Sequence, residues 1–70
     1  MNTKQAKAWV RQELAKVCTK EQAQAHLSAY RKTCEGFFKS PAGIASEQRD
    51  PIARQARHDL ARGVRRKFEL

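Results

Sequence analysis

The residues best placed to do chemistry lie in the last third of the chain. Arg54, His58, Arg62 and Arg65 follow one another at spacings of four, four and three, with Arg66 on the edge and Lys67 beside it. On a helix of 3.6 residues per turn they share one side, a basic ridge about three turns long. Arginine offers a planar fork of donors that suits phosphate, and like charges at neighbouring helical positions repel one another. Such a ridge favours an anionic partner. The competing reading is a plain solvated face, with Asp59 offsetting part of the charge.

Catalytic and metal chemistry find no comparable pattern. His26 and His58 have no Ser or Cys at a recognisable catalytic spacing and the acids are scattered singly, so the chain reads as a binding protein and not an enzyme. Cys18, His26, Cys34 and His58 are the right number of ligands for one zinc ion, yet they lack the short paired spacings that zinc sites use. No metal or other cofactor is expected. Cys18 and Cys34 read as buried thiols; if the first two helices are antiparallel they lie about 20 Å apart, beyond disulfide reach.

Net charge supports the anionic partner. The 70 residues carry 15 Lys and Arg against 7 Asp and Glu, a formal charge of +8, with a pI near 10.2. Nucleic acid, an acidic protein surface and lipid head groups all satisfy that imbalance. No apolar run is long enough for a membrane span and the start lacks the apolar core of a signal peptide, so the reading is a cytoplasmic chain without membrane insertion.

The elements that must position the ridge are helices. With 3 Gly, 2 Pro and a composition rich in Ala, Gln, Lys and Arg, the chain predicts one all-α domain over residues 1–70, a small three-helix bundle spanning about 4–17, 20–39 and 51–68. A chain this short has a thin core, which a second copy in a homodimer would help to cover. Asn2 or Thr3 caps the first helix, and Thr19 with Gln22 forms a capping box for the second. The second helix reads as the middle of the bundle, burying Ala23, Leu27, Tyr30, Cys34 and Phe37 along one face and offering Ala25, Ala29 and Gly36 as a flank for close backbone approach. Over 41–46 a single helical turn fits Ser40 before Pro41, with Ile44 pinning the loop to the core. Asp50 before Pro51 starts the last helix, which buries Ile52, Ala56, Leu60, Val64 and Phe68 opposite the ridge. Gly63 marks either a close approach or a weak point.

Two aromatic residues are candidate anchors for a partner. Trp9 lies off the Val10 and Leu14 line of the first helix, where it either closes the core edge or projects as part of a binding surface. Phe68 ends the last helix and could pack on another chain. A DNA-binding helix-turn-helix over 12–32 does not fit, because Thr19, Lys20, Ala25 and Ser28 occupy positions that want small or apolar residues. The expected function is a small basic regulatory protein that binds nucleic acid through Arg54, His58, Arg62, Arg65, Arg66 and Lys67. The alternative is an adaptor or inhibitor docking on an acidic patch of a larger protein.

Overall fold

The computed structural model describes residues 1–70 and is all-α, with four helices and no strand: α1 Thr3–Lys16, α2 Lys20–Glu35, α3 Pro41–Arg49 and α4 Pro51–Phe68. No helix is long and apolar enough to cross a membrane.

Helix starts follow the capping chemistry of the sequence. Asn2 caps α1 with Gln5 as reciprocal partner. Thr19 and Gln22 close the same box at α2. Ser40 and Asp50 cap α3 and α4, each followed by Pro, which gives up no helical hydrogen bond at the first position.

Helix ends depart from expectation in two places. α2 stops at Glu35, four residues early, because Gly36 leaves helical geometry and the chain tightens into a 3-10 turn at Phe37–Lys39. Pro41 fixes only the last step of this exit, since the residue before a proline is driven into extended backbone, as Ser40 is at ψ 157°. The turn rotates the aromatic pair. Phe37, expected inside, is 50% exposed, while Phe38 is half-buried. The single turn expected over 41–46 is instead the nine-residue α3. Its buried residue is Gly43, whereas Ile44 is 46% exposed and pins nothing.

α4, not α2, is the centre of the molecule. It packs against α1, α2 and α3, while α1 and α2 do not pack on each other. Ala56, Leu60, Ala61 and Val64 of α4 are buried, against one residue each in α1 and α2. α1 lies parallel to α4: the Met1 amino group meets Asp50 at one end, and Lys67 reaches Leu14 and Val17 at the other. The core is thin, as its size implies: Val17, Ala23, Leu60 and Val64, rimmed by Trp9, Val10, Leu14, Leu27 and Phe68. Ala25, Ala29 and Gly36, expected to receive a neighbouring backbone, are exposed. Ile52 is 38% exposed, so the four-residue stripe drifts out of the core at the start of α4. Cys18 and Cys34 are free thiols, and Cys18 is exposed where a buried one was expected.

Candidate functional site

The ridge forms because α4 begins at a strong cap and runs unbroken for 18 residues. At about 100° per residue, Arg54, Arg65, His58 and Arg62 occupy some 80° of its circumference. All four line one shallow polar cleft of about 310 Å³, joined by Gln55, Ala61 and, from α2, Tyr30.

The cations of this cleft are unequal. Arg54 is shared with Glu47 of α3 at 2.5 Å. No carboxylate stands within ion-pair distance of Arg62, Arg65 or Arg66. Asp59, the acid expected to offset them, accepts instead from Gln55 at 3.0 Å. Arg66 lies outside the cleft lining.

Lys67 corrects the expected site. It falls on the α1 side of α4, and its ammonium donates to the carbonyls of Leu14 at 3.2 Å and Val17 at 2.8 Å. It adds a second donor to the Leu14 carbonyl, which already accepts the Val17 N–H, bonds the Val17 carbonyl as well, and places positive charge at the negative end of that helix. Phe68 is half-buried against the core, with the Lys67 ammonium 5.5 Å from its ring centroid.

His58 and Tyr30 form the contact that sequence spacing did not show. The Tyr30 hydroxyl is hydrogen-bonded to Nδ1 of His58, and the rings meet edge to face with centroids 5.7 Å apart. With Nδ1 committed to this partner, Nε2 is the nitrogen free for other groups. Burial, followed by the Cys34 thiol close to its hydroxyl, pushes the Tyr30 phenol up to about 12.

On its other side Tyr30 borders a second depression, an apolar groove of about 260 Å³ in the gap between α1 and α2. Trp9 and Glu13 form one wall, His26, Ala29 and Thr33 the other, and Leu60 and Arg57 of α4 the floor, with Phe38 closing it. Trp9 is half-buried: it borders the core and also lines the groove. Arg57, passed over by the sequence reading, lies 4.7 Å from the Phe38 ring centroid in cation–π geometry. No three His, Cys, Asp or Glu side chains converge in a metal-binding group.

No family model, curated protein or solved structure matches this chain.

Proposed function

We propose that this is a nucleic-acid-associated regulatory protein whose α4 cleft takes backbone phosphates. The observation that carries this reading is the pair Arg62 and Arg65, which share one cleft with His58 and lack any carboxylate partner. Guanidinium forks without an internal acid supply charge-assisted hydrogen bonds to phosphate oxygens. The contacts are to backbone, so they confer affinity and register with little base specificity.

Arg54 is divided with Glu47 and Lys67 is committed to α1, which leaves Arg62, Arg65 and Arg66 as the main phosphate ligands. Three neutralised phosphates give a slope of log K against log salt of about −2.7 on duplex DNA and about −2.1 on single strands. Anisotropy titrations of labelled DNA at several salt concentrations measure it. The double variant Arg62→Ala, Arg65→Ala is expected to flatten the duplex slope by nearly two units. Absence of binding to duplex and single strand alike at low salt refutes the proposal. Nuclease-resistant capture of one acidic protein, lost in Arg62→Glu, would instead assign the cleft to a protein partner.

A further inference from the structure

The arginine cleft and the apolar groove share one side chain, Tyr30, whose hydroxyl is held on the cleft side by His58 and whose body also borders the groove. At about 260 Å³ the groove falls just below the roughly 300–1,000 Å³ of drug-sized ligand sites, so it has room for one planar ring system. Its walls suit such a ring: Trp9, Tyr30 and Phe38 provide aromatic surface, and Leu60 and the Arg57 guanidinium form the floor. The charge beside it is positive and unpaired at Arg62 and Arg65. Aromatic platforms next to a cationic track are the combination by which proteins hold unpaired nucleic acid strands, bases on the rings and phosphates on the track.

We infer that the groove receives an unpaired base of a single-stranded polynucleotide whose neighbouring phosphates lie in the arginine cleft. This inference rests on the phosphate-binding reading and adds to it the state of the strand. A duplex keeps its bases stacked inside and engages the cleft alone. A free phosphate leaves the groove empty.

Trp9 is the only tryptophan in the chain, so its emission reports directly on the groove. The full chain is titrated with a short oligothymidylate, with a duplex of equal length and with inorganic polyphosphate. The single strand is expected to quench Trp9, whereas duplex and polyphosphate bind without quenching. Trp9 also borders the core, so the diagnostic variant is Ala29→Leu, which adds bulk at an exposed groove wall. It is expected to weaken single-strand binding by roughly 5- to 150-fold, the equivalent of one stacked base, and to leave duplex and polyphosphate binding unchanged. Equal binding of all three probes with silent Trp9 emission overturns the inference and leaves the phosphate reading standing; no binding of any probe removes both. Equal single-strand affinity in Ala29→Leu also overturns it. So does a Trp9 shift that follows protein concentration with no oligonucleotide present, since a second copy would then fill the groove.

Discussion

Gly43→Ala and Gly63→Ala are the same chemical change, yet they should move stability in opposite directions. Gly43 sits in the first turn of α3, pressed against the backbone of the 3-10 turn. A methyl there would lie 1.8 Å from the Phe37 carbonyl oxygen, 2.5 Å from its carbon and 2.8 Å from the Phe38 Cα. All three are backbone atoms, so no rotamer change relieves the clash and α3 must move off the turn. Overpacking of this kind costs about 1–3 kcal/mol, and an unyielding neighbour puts this case at the upper end. The helix preference of Ala returns up to about 1 kcal/mol, leaving a net loss of about 2 kcal/mol. For a domain of this size that lowers the midpoint of thermal unfolding by about 8–16 °C. At Gly63 the same methyl would meet the Leu14 methyls at 3.4 and 3.7 Å, ordinary contact distance. Here the helix term is unopposed, and the midpoint should rise by about 4–8 °C. Thermal melts followed by helical circular dichroism measure both. A Gly43→Ala melt within two or so degrees of the parent, or a Gly63→Ala melt below it, refutes the packing described for α3 and for the α1–α4 seam.

Lys67→Met keeps the aliphatic stem and removes the ammonium from the Leu14 and Val17 carbonyls; it should cost about 1 kcal/mol in a urea titration while leaving the salt dependence of DNA binding unchanged, unlike Arg62→Ala. Tyr30 is the only tyrosine, and its folded-state value of about 12 lies above the ordinary 10.0, so the neutral phenol favours the fold: its contribution is intact below pH 10.0 and is lost as pH rises toward 12. Absorbance of the phenolate band, recorded beside helicity, should therefore grow in together with unfolding, and a phenolate titrating near 10.0 in a fully helical chain would contradict the burial of Tyr30. Asp50 is held below its ordinary 3.8 first by the Met1 amino group and then by the Ala53 N–H, so its contribution is present above 3.8 and fades as acid carries the pH below that value. Asp50→Asn, which still caps α4, should flatten the acid limb of melting temperature against pH, and an unchanged limb would dismiss the ion pair as a contributor.

What could be read from the sequence was what neighbouring residues decide among themselves. The cap at Asn2 or Thr3, the Thr19–Gln22 box and the Ser40–Pro41 and Asp50–Pro51 starts depend on residues within a turn of one another, and the helices begin close to where they place them. The grouping of Arg54, His58, Arg62 and Arg65 has the same origin, because one continuous helix fixes their common side. Partners chosen across the chain were not legible. Lys67 is adjacent to the ridge in sequence, yet its ammonium ends on α1, 50 residues away. The Tyr30–His58 bond spans 28 positions, and periodicity marked Tyr30 only as an inward residue of α2. The central role of α4 was hidden for a similar reason: the apolar stripe of α2 looked as long as that of α4 until the chain left helical geometry at Gly36. Arg57 carried one usable signal, its position three residues before Leu60, on the flank that continues the buried stripe.

Since α1, α2 and α3 all lean on α4 while α1 and α2 never brace one another, a ribosome delivers every other rod before the one they need. Helices of 14, 16 and 9 residues hold little structure alone in water. A nascent chain that has not yet reached Pro51 is thus a set of weak helices joined only by the local packing of α2 and α3 on the 3-10 turn, open to proteases and chaperones, and the remaining tertiary order arrives late. Truncation before Pro51 should leave no cooperative melt at all, rather than a smaller domain.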